Sequence, residues 1–197
     1  MAGKRIFVLN GHPGETSLSR SIAETYVKAA QAAGHEVRLT HLRDLAFDPD
    51  HGAAGYTKVK PLEPDLAKLR ADIEWSEHWV LCTPMWWGGM PAKLKGLFDR
   101  TFLPGWAFDP QQQTKSGMPL PLLTGRSARA FVTSDTPTVY FGLLYHKALL
   151  RQIRGQIFSF CGMRPARVSH FAPASHPKEG AVDGWLRKVA QLGAQAK

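Results

Sequence analysis

The chain has 197 residues, of which 44% are apolar and 21% charged, and a formal net charge of +9. That length suits one domain able to bury roughly 70% of its unfolded surface, and that composition excludes fibrous and disordered classes. The positive residues are scattered, with no basic run of five or six and no zinc-finger or RNA-binding signature, so no nucleic-acid partner is expected; a diffuse field drawing small anions accounts for the charge.

Lys4 to Asn10 reads as a first strand, its apolar run too short for a signal peptide. Leu18, Ile22, Tyr26, Ala29 and Ala33 then mark one face of a helix that Gly34 ends. Glu36 to His41 is a second strand, Asp65 to Ser76 a helix behind Pro64, and His78 to Thr83 a buried third strand. A helix follows with Pro91 in its first turn and Leu94, Leu97 and Phe98 inside. Arg126 to Ser134 gives a fourth strand, and Leu149, Ile153, Ile157 and Cys161 an i, i+4 row on a long helix closed by Gly162. Val168 to Phe171 is a weak fifth strand, and Val182, Trp185, Val189 and Leu192 face inward on a last helix. Five strands interleaved with five helices predict a flavodoxin-like α/β fold: a five-stranded parallel sheet, order 2-1-3-4-5, with helices on both faces, as a single domain over residues 1–197. Two long connections, Leu42 to Glu63 and Phe102 to Leu123, fall on the ligand side or lead from it, and Trp106 and Phe108 in the second are candidates for a lid or partner contact. Cys82 and Cys161 lie in apolar surroundings without a CxxC and read as reduced core residues. No run approaches the ~18 apolar residues of a membrane span. Cytoplasmic residence is the resulting expectation.

The loop after the first strand, GHPGETSLS, lines the crevice where such sheets bind ligands. Gly11 and Gly14 permit a tight turn, while the hydroxyls of Thr16, Ser17 and Ser19 and the amides of the helix they open form an anion cradle. The plainer alternative is that Thr16 or Ser17 only caps the helix. GxGxxG and GxxxxGK[ST] are both absent, so a monophosphate-bearing cofactor fits better than a dinucleotide or a magnesium triphosphate. Glu15 must point away from such an anion.

TPMWWGGMPAKLKGLFDRTF, Thr83 to Phe102, follows the third strand. Trp86 and Trp87 beside Gly88 and Gly89 suit a planar heteroaromatic ring lying on an indole while backbone N–H groups approach its polar edge; the alternative places both indoles in the core. The other histidines, His35, His41, His51, His78, His170 and His176, show neither HxH nor HExxH spacing, so no metal is expected.

These two blocks resemble the flavodoxin-fold NAD(P)H:quinone oxidoreductase family, which includes the animal quinone reductases and the ancillary oxidoreductases of bacterial potassium efflux. The resemblance implies a flavin phosphate region held by His12, Ser17, Leu18 and Ser19, and an isoalloxazine held by Pro84, Met85, Trp86, Trp87 and Gly88. The family's Thr-Thr-Gly-Gly loop corresponds to Thr133, Ser134, Asp135, Thr136 and Pro137, where the glycines are missing; the tyrosine and histidine that follow at six-residue spacing correspond to Tyr140 and His146, implied as the catalytic pair. It further implies FMN, with FAD as the alternative, NAD(P)H as co-substrate, a quinone or similar acceptor in ping-pong order, and a homodimer. A flavin-binding regulatory subunit on a membrane potassium transporter is the second reading; an electron-carrier flavodoxin fits less well, because those are acidic, and a flavin-free nucleotide binder is a further alternative.

Overall fold

The computed structural model describes residues 3–52 and 59–197. β1 (Arg5–Asn10), β2 (Glu36–His41) and β3 (His78–Pro84) form a sheet with β6 (Ser127–Thr133) and β7 (Ala166–Phe171). Its order is β2-β1-β3-β6-β7 and every neighbouring pair is parallel, with Ile6 opposite both Val37 and His78, and Val80 opposite Arg129. β6 and β7 are the fourth and fifth strands of the sequence reading, so the expected order is the observed one.

Alternation along the central strands divides the core in two. Ile6, Val8, Val80, Cys82 and Phe131 face α1 (Leu18–Ala32) and α6 (Ala181–Ala194), where Ile22, Tyr26 and Val189 meet them. Phe7, Leu9, Trp79 and Leu81 face the opposite way, onto α2 (Pro64–Trp75) and α3 (Ala92–Thr101) through Leu66, Leu69, Leu94 and Leu97. α1 and α6 approach closely at Gly193, where a Cβ would stand 2.6 Å from the Tyr26 carbonyl oxygen.

Two parts depart from the sequence reading. The connection from Phe102 to Leu123 contains an antiparallel pair, β4 (Phe108–Gln113) with β5 (Pro119–Pro121), whose three prolines and run of glutamines mask its pairing. Trp106 is no lid: its ring packs on Phe102 at 5.3 Å, lies under the Arg70 guanidinium at 4.6 Å and donates its N–H to Glu74. The expected long helix begins as α5 (Ala148–Arg151), after the short α4 (Thr138–Leu143), and continues as π-helix over Gln152–Ser159. Its wider i→i+5 turn, seen in Phe160 N–H to Gly155 carbonyl at 2.9 Å, moves the buried row from Ile157 to Phe158, so that Ile153, Phe158 and Met163 are buried at intervals of five. Among the described residues no helix is long and apolar enough to cross a membrane.

Candidate functional site

Strand order reverses between β1 and β3, and the crevice outside their carboxyl ends is where this topology presents ligands. Three loops meet there. From the first, His12 accepts the Gly14 N–H on Nδ1 at 2.9 Å, which places its ring proton on Nε2, and its own amide donates to the Asn10 side chain at 3.2 Å. A Cβ on Gly14 would stand 2.9 Å from that imidazole, so a side chain there would push the ring out of its place against the loop. Gly11 sits against Leu94 and the Cys82 carbonyl with no room for a side chain.

Ser17 is the N-cap of α1: its Oγ accepts the Arg20 N–H at 3.0 Å. Cap and cradle are compatible, because the hydroxyl proton stays free to donate. The amides of Leu18 and Ser19 have no acceptor among the described residues, and Thr16 is exposed without a hydrogen bond there. The Leu18 side chain packs on the core, leaving only its amide for a ligand, and the buried Ser19 hydroxyl meets Thr133 Oγ1 at 3.4 Å. Glu15 turns outward and pairs with Arg43 at 3.1 Å, which removes its repulsion from the cradle.

The second loop continues β3. Trp86 and Gly89 exchange both backbone hydrogen bonds at 2.9 Å around Trp87 and Gly88, whose φ angles are +50° and +75°, the geometry of a type I′ turn. Trp87 is wholly exposed, Trp86 is half-exposed with its ring edge-on to His12 at 5.5 Å, and a Cβ on Gly88 would touch nothing. Neither indole lies in the core. Pro84 is buried at the strand end, and Met85 packs on the core while its N–H donates to the Thr133 carbonyl at 2.7 Å, joining the second loop to the third.

In the third loop the side chains are engaged elsewhere. Ser134 Oγ lies 2.7 Å from His170 Nε2, and the Asp135 carboxylate accepts from the Ala174 amide and from the amide and hydroxyl of Ser175 at 2.6–3.1 Å. Those Ser175 bonds hold the Asp135 pKa below its usual range. Burial and Lys147 lower that of His170, keeping a neutral imidazole behind Ser134. The Ser134 N–H donates to the Phe171 carbonyl at 3.1 Å, and the carbonyls of Thr133 and Ser134 accept from Met85 and Ala174, so among the described residues the Asp135 amide is what this loop leaves for a ligand. The aspartate that replaces a glycine of the family's loop anchors the segment after β7.

Beyond this loop His146 and Lys147 are consecutive residues with φ of +48° and +54°, a strained pair that turns the chain into α5. His146 and Gly88 line one cavity of about 820 Å3, with Tyr145, Gln152 and Gln156. Tyr140 is half-exposed and reaches that wall only through Tyr145, whose ring it meets at 5.9 Å. Tyr145 and the glutamines escape sequence reasoning: they sit on the polar side of the apolar row, where only the three-dimensional path gives them a role.

The donor set fits a phosphate monoester joined to a flat ring: two free amides and hydroxyls at a helix start, an imidazole N–H, then two exposed indoles beside an open glycine. Residues 4–192 match the model of a family described as having the flavodoxin-like fold. The chain is 24% identical over 218 residues to NAD(P)H dehydrogenase [quinone] 1 of Cavia porcellus, covering 96% of this chain and 77% of that one. It is 29% identical over 168 residues to an FMN-dependent NADH:quinone oxidoreductase of Ruegeria pomeroyi, covering 75% and 80%. The solved NAD(P)H:quinone oxidoreductase of Methanothermobacter marburgensis superposes with a TM-score of 0.75 at 19% identity, covering all of both chains, which is a likeness of fold.

Proposed function

We propose, for a chain that belongs to the family with the flavodoxin-like fold, that it is an FMN-dependent oxidoreductase passing reducing equivalents from NAD(P)H to a quinone or a similar flat acceptor. The observation that carries this reading is the convergence of the unpaired α1 amides and the Trp86–Gly89 turn at the switch point, joined by the contact of His12 with Trp86. When bound, flavin supplies the hydride chemistry in two half-reactions.

Ser17, Thr16, His12 and the amides of Leu18 and Ser19 would hold the phosphate, and Trp86, Trp87 and the main chain at Met85 and Gly88 the ring system. A cradle of this size matches one phosphate and favours FMN over FAD. His146, in the cavity it shares with Gly88, is placed to donate a hydrogen bond where negative charge develops; Tyr140 positions Tyr145 beside it. The strained left-handed backbone at Trp87 and His146 supports a functional rather than a structural role for both.

Val139, Leu143 and Leu144 stand 57–73% exposed on α4 and the turn after it, which supports a homodimer in which a second copy covers them. Steady-state oxidation of NADH and NADPH by the FMN-loaded protein, with a benzoquinone as acceptor, tests the function. Parallel double-reciprocal lines are expected. A protein that binds FMN yet turns over no quinone with either nucleotide would overturn the enzyme reading.

A further inference from the structure

The cations that look dispersed in the sequence are gathered by the fold. A cavity of about 610 Å3 beside the edge strand β7 is walled by Arg129 and Arg167 of the sheet, Lys188 of α6, and Lys147, Arg151 and Arg154 around α5. Among the described residues no carboxylate lines it. Among the described residues none of the six forms an ion pair.

Arg129 and Arg167 stand directly opposite in the β6–β7 register, so their side chains leave the same face of the sheet side by side, a placement that is unfavourable without an anion between them. Arg129 is 5% exposed, donates one N–H to Ser169 Oγ at 3.0 Å, lies over the Phe131 ring at 5.5 Å, and has a buried Nε with no hydrogen-bond partner among the described residues. A buried charged donor without an acceptor is costly. Protection of a free sheet edge accounts for Arg167 alone. It leaves unexplained the buried arginine behind it and the four cations on the flanking helices.

We propose that this cavity binds a phosphate-bearing anion, with the Arg129–Arg167 pair as the fork on the phosphate and Leu150, Val168 and Leu192 giving an apolar seat for any organic body. Two sources share that chemistry: free inorganic phosphates, and the adenosine 2′-phosphate of NADPH. The second is within reach because Arg151 and Arg154 line both this cavity and the one at His146. The phosphate site itself does not rest on the redox reading; its NADPH source does.

Calorimetric titration of the purified protein with pyrophosphate at low ionic strength tests it. Saturation at one site is expected, weakened at least about tenfold in Arg167→Glu and in Arg129→Met. Lys115→Glu, exposed on the β4–β5 turn and equal in charge change to Arg167→Glu, is expected to stay within about twofold. Absence of saturable binding, or equal weakening by Arg167→Glu and Lys115→Glu, overturns the proposal in favour of a diffuse field. Displacement of pyrophosphate by 2′,5′-ADP assigns the site to the nucleotide; saturation without displacement assigns it to free phosphates. NADH oxidation by the unsubstituted protein separates the two readings, since intact turnover without saturable pyrophosphate binding sinks this site alone.

Discussion

Trp87 stands where a type I′ turn prefers asparagine followed by glycine, and it is followed by Gly88. A left-handed backbone costs a bulky L-residue roughly 1–2 kcal/mol. The indole, at 106% exposure, returns no packing to offset that cost. Trp87→Asn is therefore expected to stabilise the cofactor-free protein by about 1 kcal/mol, which at this chain length raises Tm by roughly 2–4 °C in a thermal melt. The same substitution removes aromatic surface that is worth roughly 0.5–1.5 kcal/mol against a flavin ring, so FMN should bind about two- to tenfold more weakly in a fluorescence titration. Greater stability with weaker binding is the signature of strain held for a ligand. A lowered Tm would mean that the indole packs on the protein, and an unchanged Kd that it does not touch the ring; either result refutes the reasoning.

Arg100 is 2% exposed and grips Glu63 with two hydrogen bonds at 2.9–3.0 Å and the carbonyls of Asp48 and Pro61 with two more, closing the long connection after β2 against α3. Arg100→Met should cost roughly 2–4 kcal/mol, the usual penalty for breaking a buried pair discounted for a carboxylate that is partly in water. Glu63→Gln should cost less than half as much by urea denaturation; equal losses would contradict the asymmetry. Burial pushes the His78 pKa down to about 3 in the folded protein. The unfolded chain takes up that proton near pH 6.5, so stability complete above that pH falls as the solution is acidified, by at most about 1.4 kcal/mol per pH unit. In urea melts His78→Gln, which keeps a partner for Ser127 Oγ, should flatten the decline between pH 6.5 and 4, and an unaltered slope would exclude His78 as its source. Cys82 and Cys161 are buried free thiols whose pKa values burial raises, that of Cys161 to about 12. A disulfide reagent at pH 8 should label neither until denaturant is added, when both react; prompt labelling of the native protein would contradict their placement.

Much of this architecture is legible in the sequence because local and global signals agree. The runs at Arg5–Asn10 and His78–Pro84 are apolar on both faces, as strands covered by helices must be, and Ser17 is both the best cap residue and the start of the amphipathic pattern. The candidate cradle at the start of α1 is visible for the same reason. The hairpin at Phe108–Pro121 is not, since proline and glutamine carry no strand signal. The π-helix hides because Leu149, Ile153, Ile157 and Cys161 satisfy the ordinary helical period, and only packing selects Phe158 over Ile157. Asp135 misleads in another way. A residue placed by correspondence with a ligand loop spends its carboxylate on Ala174 and Ser175, a partner forty residues away that no local pattern announces. The basic cavity is the clearest case of information that exists only after folding, because its six cations come from β6, β7, α6 and the helical stretch around α5, far apart in the chain.

The measurement that bears most directly on the cradle is a comparison of FMN with riboflavin, titrated into cofactor-free protein and followed by quenching of flavin fluorescence. One-to-one saturation by FMN is expected, with riboflavin weaker by at least about tenfold, the difference being the charge-assisted hydrogen bonds to one phosphate. Equal affinity for the two, or flavin that stays fluorescent at any protein concentration, would contradict the account.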